Sequence, residues 1–413
     1  MFLLKRKRLI RKKQVLGIKA NIHQFVLLSL STLFVGSMLG LERVIVPLLG
    51  KQYFHLQGAL LILSFIVAFG ASKAILNLLA GRLSDRLGRK AVLISGWVIG
   101  LPVPLLLLYA PSWNIVILAN LLLGANQALA WTMTVTSQID LVTQHERGLA
   151  MGINEATGYL GVALGTYLTS ILARGVSHRP APFFFGLVMA IIGLLLSFLI
   201  RETHTPQPKT VGGAHRATAT IFWETTWKNP TLSTLSMAGL ANKLADTLIW
   251  GLLPLYLIAQ GFTLAQIGLI SGLYAMVWGL GQFGTGLISD RIGRKPPIVV
   301  GMLMLGSGIL FLPVGHSLDQ LGFIATIMGV GMALLYPNLN ASVSDIAPLS
   351  ERGAILGTYR LWRDGGYAIG GLSIGFLSDY LGYQTSILII GALVLFVSVL
   401  LIFRMKETLA SKI

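Results

Sequence analysis

Apolar residues run along this chain in stretches of about twenty, separated by short polar turns, and neither alternate nor favour one helical face. A bilayer core is about 30 Å thick and a helix rises about 1.5 Å per residue, so roughly 20 such residues cross it. The qualifying stretches are 24 to 49, 58 to 80, 91 to 110, 114 to 138, 150 to 173 and 182 to 200, then 231 to 257, 264 to 285, 296 to 314, 320 to 343, 354 to 377 and 385 to 403. Transmembrane strands are excluded, since they are about ten residues long and alternate polar with apolar. The pattern predicts an all-α membrane protein with twelve transmembrane helices.

Composition agrees: 54% of residues are hydrophobic and 11% charged, against about a quarter charged in soluble domains. The net charge of +17 would suit nucleic acid, but its placement argues against that partner. Lys and Arg concentrate in the N-terminal tail, the even-numbered loops and the C-terminal tail, and the other side carries just Arg43, Lys51, Arg174 and Arg179. That asymmetry predicts a membrane protein with the basic side and both termini in the cytoplasm. The tail MFLLKRKRLIRKKQVLGIK suits anionic lipid headgroups. It resembles the start of a signal peptide, yet the run after it is too long and lacks a cleavage site, so it is read as leading into a retained first helix. The sequence has no cysteine, which removes disulfides and thiol chemistry.

An internal repeat is the next feature. GRLSDRLGRK at 81 to 90 returns as GLISDRIGRK at 286 to 295, an offset of 286 − 81 = 205. The same offset carries Asp140 onto Asp345, Gly152 onto Gly357, Gly161 onto Gly366 and Gly165 onto Gly370. A duplicated unit of six helices enters from the same side each time, which makes the halves parallel repeats about an axis along the membrane normal. The expected organisation is a basic cytoplasmic tail (1–23), a first six-helix bundle (24–200), a cytoplasmic linker (201–229), a second bundle (230–403) and a tail (404–413). A short surface helix is expected in the linker around Phe222 to Trp227.

The repeated GxxSDRxGRK decapeptide, at the turn after the second and the eighth stretch, closely resembles the signature loop of the major facilitator superfamily, and the resemblance covers the whole chain. Gly81, Gly88 and Gly293 permit tight turning or close approach. Asp85 and Asp290 can cap the following helix or pair with Arg86, Arg89, Arg291 or Arg294. In the family the aspartate contacts the other half in one conformation and releases it in the other, which implies gating roles for these loops. The resemblance further implies a substrate cavity between the halves, and it points toward bacterial drug or metabolite:proton antiporters.

Ionisable residues inside membrane helices are costly and mark functional positions. They are Glu42, Lys73, Glu155, Lys243, Asp246, Arg360, Arg363 and Asp364. Glu155 is the leading proton-coupling candidate, since desolvation brings a carboxyl toward working pH; the alternative is a charge partner for Lys73 or for an Arg of the eleventh stretch. Asp246 is the second candidate and Glu42 the third. Lys243 and Asp246, three apart, can also simply neutralise one another, and Glu42 can instead be interfacial. One-turn spacing predicts an Arg360–Asp364 pair, leaving Arg363 to seek an anion with Lys73. Trp131, its register mate Tyr336, and Asn338 beside Pro337 are candidate cavity residues. The stretch around Glu155, GINEATGYLGVALG, resembles the family's antiporter motif but lacks its Gly-Pro pair, and Asn120 stands where many drug exporters carry Arg.

No phosphate-binding GxxxxGK[ST] loop occurs, so ATP is not the direct driver. No cofactor or metal is called for, and no clustered His or Ser/Lys set suggests an enzyme. The expectation is a monomeric, proton-coupled exporter of a small organic compound working by alternating access, the alternative being proton-coupled uptake of an organic anion.

Overall fold

A computed structural model describes residues 15–173, 180–203, 218–348 and 351–409; the start of the basic tail and much of the linker lie outside them. The first six spans are α1 (Ile22–Tyr53), α2 (Ala59–Leu87), α3 (Arg89–Tyr109), α4 (Trp113–Leu141), α5 (Arg147–Leu172) and α6 (Pro180–Leu199). A short helix, Thr218–Trp223 extended through Glu224–Lys228, follows where the linker was expected to hold one. Then come α7 (Pro230–Thr247, continued by Leu248–Leu252 and Leu253–Ala259), α8 (Leu264–Ile292), α9 (Lys295–Phe311, with a last turn Leu312–Val314) and α10 (Leu318–Ile346). Arg352–Arg404 is divided by Gly382, whose φ of 80° breaks the helix into α11 and α12.

Among the described residues nine helices are long and apolar enough to cross a membrane. Dividing one of them at Gly382 and adding α5 and α7, both interrupted by polar residues, gives twelve. The boundaries lie within a few residues of the sequence-based spans, except that α2 and α8 run several residues further at their C-terminal ends. Pro337 stays inside α10. Wider π turns occur at 127–131 in α4 and 248–252 in α7, and such turns are frequent at functional sites.

Small residues hold each half together. A Cβ on Gly36 or Gly40 of α1 would overlap the carbonyl of Gly158 or Val162 on α5, and one on Gly161 or Gly165 would overlap the backbone at Leu33 or Ser37. The second half repeats this seam, with Gly366 against Leu240 and Gly370 against Thr247. Without water to drive association, close backbone approach of this kind is what packs membrane helices.

Between the halves, contact is uneven along the membrane normal. At the end away from the signature loops, a Cβ on Gly375 would meet Leu60, on Gly371 Val67, on Gly251 Leu63 and on Gly268 Ser170. Asp379 on α11 accepts from the backbone N–H groups of Ala59 and Leu60, capping α2 across the divide. At the signature-loop end, Gly81, Gly148, Gly152, Gly284, Gly286 and Gly353 have nothing within 4 Å of such an atom. The halves are therefore closed at one end and parted at the other. Gly81, expected to allow close approach, faces open space in this arrangement. The first and last described segments lie at the parted end: Gly17 donates to the Leu141 carbonyl at 3.0 Å, and the Lys406 backbone to Thr231 at 3.3 Å.

Gly36→Ala should lower the thermal unfolding temperature of the purified protein sharply, because α1 and α5 must part. Gly152→Ala should leave it unchanged or raise it, with a gain of up to about 1 kcal/mol from helix propensity. Equal unfolding temperatures for the two variants would remove the seam from the fold's support.

Candidate functional site

Eight helices, four from each half, surround the middle of the molecule and bring most of the buried charge together there. Arg43 of α1 and Asp246 of α7 form a two-pronged ion pair, Nη1 to Oδ1 at 2.8 Å and Nη2 to Oδ2 at 2.9 Å, with 1% and 0% of each side chain exposed. Tyr367 of α11 donates its hydroxyl to Asp246 at 2.6 Å, and the Lys243 ammonium lies 3.6 Å away. Arg43 was expected on the far surface, and it is instead a buried tie between the halves. Its position inside the first apolar stretch was the available signal. Asp246 and Lys243 do not simply neutralise one another, because the arginine fork occupies both carboxylate oxygens.

A second cluster joins α2, α10 and α11. Arg363 chelates Asp364 through Nε and Nη2, both at 2.9 Å; Asn77 donates to Asp364 at 2.5 Å, and Arg363 reaches Asn340 at 3.3 Å. The expected Arg360–Asp364 pair is not formed. Asp364 already has the planar fork of its neighbour and an amide from the other half, so Arg360 has no ion-pair partner among the described residues and its Nε is buried without a hydrogen bond. One-turn spacing predicted the wrong arginine because it ignores partners on other helices.

Glu155 of α5 accepts from Trp131 Nε1 at 3.2 Å, and its other oxygen is buried without a partner. Lys73 of α2 has no carboxylate within 4.0 Å among the described residues; its ammonium lies 5.4 Å from the Phe69 ring, 5.8 Å from Trp131 and 5.7 Å from Tyr367. Lys243 sits among Tyr159, Trp278, Tyr336 and Tyr367 at 4.7 to 5.6 Å and donates to Tyr159 at 3.2 Å. Tyr159 and Trp278 stack across the halves at 3.5 Å. Trp131 and Tyr336 do line this region. Asn338 does not contribute polar contacts, since its amide returns to Leu334 of its own helix at 2.6 Å. Tyr159, one turn beyond Glu155, and Tyr367, one turn beyond Asp364, went unnoticed despite that spacing. Glu42 is fully buried on α1, with neither oxygen bonded, and not at an interface.

The signature loops repeat one another bond for bond. Arg89 pairs with Asp85 at 2.9 Å and Asp140 at 3.3 Å and donates to Ser84 at 2.7 Å; Arg294 does the same with Asp290 at 2.8 Å, Asp345 at 3.3 Å and Ser289 at 2.6 Å. Arg86 and Arg291 are exposed. Gly88 and Gly293 turn the chain with φ of 92° and 96°, where a Cβ would strike Glu202 or Glu407. Those glutamates, missed in the sequence, cap α3 and α9 by accepting from the backbone of residues 89 and 90, and of 294 and 295. Burial raises the Glu407 carboxyl, but N–H bonds from Leu409, Arg294, Lys295 and Thr408 outweigh it and hold it below the usual range. The Glu-Thr dipeptide at 202 and 407, again 205 apart, was the signal.

The profile of the Major Facilitator Superfamily matches residues 28–244 and, a second time, 235–412. The chain belongs to this superfamily. Its members are transporters and not enzymes, and this one is a multi-pass membrane protein. An uncharacterized MFS-type transporter of Methanocaldococcus jannaschii is 24% identical over 317 residues, 76% of this chain and 81% of the relative. The multidrug resistance protein MdtG of Salmonella paratyphi C is 27% identical over 328 residues, 76% and 78% of the two chains. Two solved structures share the fold: the human organic anion transporter MFSD10, with TM-score 0.71 at 18% identity over 92% of this chain and 99% of that one, and the nucleoside transporter NupG, with 0.74 at 14% over 93% and 100%.

Removing one partner of a buried ion pair leaves the other charge stranded, at a cost of about 3–5 kcal/mol, whereas replacing both by apolar residues is often neutral. In this superfamily member Asp246→Ala should therefore lower stability strongly. Arg43→Met and Lys243→Met combined with Asp246→Leu, which leaves neither cation of the cluster stranded, should recover most of it, read by thermal unfolding in detergent; a triple variant no more stable than Asp246→Ala would contradict the cluster's role.

Proposed function

We propose that this transporter is a proton-coupled exporter of a small organic compound, acting as a monomer by alternating access in a bacterial inner membrane, with Glu155 as its principal proton carrier. One observation carries the reading: Glu155 stands on the cavity wall with one oxygen on an indole and the other unbonded, and no cation within ion-pair distance. A carboxyl so placed can change protonation as substrate and neighbouring charges move. Asp246, held by Arg43, Lys243 and Tyr367, serves instead as a tie between the halves, and Glu42 is the second proton candidate. The distribution of basic residues supports a cytoplasmic position for the parted end, which makes this the state that accepts substrate from the cytoplasm. Asp85 and Asp290, bound within their own halves here, would meet the opposite half when that end closes. Export is supported by the MdtG relatives, which are named as multidrug resistance proteins.

Everted vesicles given an acidic lumen test this. The exporter should drive substrate accumulation from a panel of drugs and metabolites, and Glu155→Gln should abolish the response to the gradient at unchanged protein level. Release of substrate on acidification would reverse the direction, and an unaltered pH response in Glu155→Gln would remove Glu155 from the proton path.

A further inference from the structure

Charge bookkeeping in the central cavity points to the kind of molecule it takes. Five cations face it: Arg43, Lys73, Lys243, Arg360 and Arg363. Asp246 is taken by Arg43 and Lys243, and Asp364 by Arg363. Glu155 is the remaining carboxylate there, and it makes no ion pair. Even with Glu155 ionised the cavity has a surplus of two positive charges, 5 − 3, or of one if Glu42, buried beside Asn120 in the first half, is counted and charged.

One charge of that surplus sits with Arg43 and Lys243, which share Asp246; the other lies with Lys73 and Arg360, the two cavity cations that make no ion pair among the described residues. Among the described residues the Lys73 ammonium makes no ion pair and no hydrogen bond; it lies against three ring faces, with Asp364 and Glu155 acting on it from beyond ion-pair distance, and cation–π contacts return just part of what a charge loses on leaving water. Arg360 keeps a buried Nε without any acceptor, an arrangement a guanidinium adopts when its acceptor comes from elsewhere. Both feel the charges of Glu155 and Arg363 and so border one space. Counted along their helices from the parted end, Arg360 lies roughly 12 Å in and Lys73 roughly 21 Å in, at 1.5 Å per residue. An entering anion meets Arg360 first and Lys73 at the floor, where Phe69, Trp131 and Tyr367 offer apolar faces.

We propose that Arg360 nearer the mouth and Lys73 at the floor successively draw in the anionic group of an aromatic organic substrate, so that the cavity takes organic anions in preference to organic cations. The proposal rests on the cavity being the transport site and is independent of the direction of transport. Carboxylate, sulfonate and phosphate share the required chemistry. An organic cation in the same place would stand against two like charges that have no ion-pair partner among the described residues.

The test is a charge series on one ring system. Purified full-length transporter in lipid nanodiscs is titrated calorimetrically with 2-naphthoate, 2-naphthamide and 2-naphthylmethylammonium. Naphthoate should bind at least about tenfold tighter than the amide, the ammonium should bind weakest, and Lys73→Met and Arg360→Met should each lose about tenfold or more, as charge-assisted hydrogen bonds are lost. Lys73→Arg should retain binding, which separates lost charge from lost fold. Amide or ammonium preference, or naphthoate affinity unchanged in both Met variants, overturns the anion assignment while leaving transport through the cavity standing. No binding by any of the three also overturns it, and the transport reading itself falls only if everted vesicles show no flux of any panel compound.

Discussion

The buried ion pair between Arg43 and Asp246 is the constraint around which the rest is arranged. A desolvated arginine and aspartate in a membrane interior each carry a large penalty that only mutual contact relieves. Because one lies on α1 and the other on α7, that contact also fixes the two halves against each other. The Tyr367 hydroxyl and the Lys243 ammonium complete the shell of Asp246, drawing α11 into the same tie. Nearer the closed surface, Asp379 caps the start of α2 from the opposite half. Charge and helix-end hydrogen bonding thus close one end, while the other end has no comparable bonds between halves among the described residues.

Symmetry and its loss divide the labour. Where the chain must turn at the parted end, both halves use the same residues in the same bonds, from Arg89 with Asp85 and Asp140 to Arg294 with Asp290 and Asp345. The same turn thus serves either half. In the cavity the register pairs unlike residues: Glu155 corresponds to Arg360, and Trp131 to Tyr336. A single ligand lying across the axis would meet two different surfaces.

The fold was legible because the physics that sets it is local. Run length gives the spans, and an even number of helices gives the parallel repeat. The charged centre was only half legible. That Glu155, Lys73 and Asp246 would lie inside was readable from their place in apolar runs. Their partners were not, because an ion pair such as Arg43–Asp246 joins residues 203 apart in sequence, and no periodicity connects them. The Arg360–Asp364 expectation failed for the same reason: helical spacing says which residues can meet, and the amide of Asn77 from another helix decided which did. Glu202 and Glu407 were readable in principle from the 205-residue register, but they stand beyond the apolar spans where attention fell.

The most direct test of the tie is a distance across the closed end. The sequence has no cysteine, so spin labels can be placed at Leu61 on α2 and Phe376 on α11, both exposed, without background. Pulsed electron paramagnetic resonance in nanodiscs should give one narrow short-distance population in the parent protein and a second, longer population once Asp246→Asn weakens the tie. Identical distributions in a folded Asp246→Asn variant would contradict the central role of the Arg43–Asp246 pair.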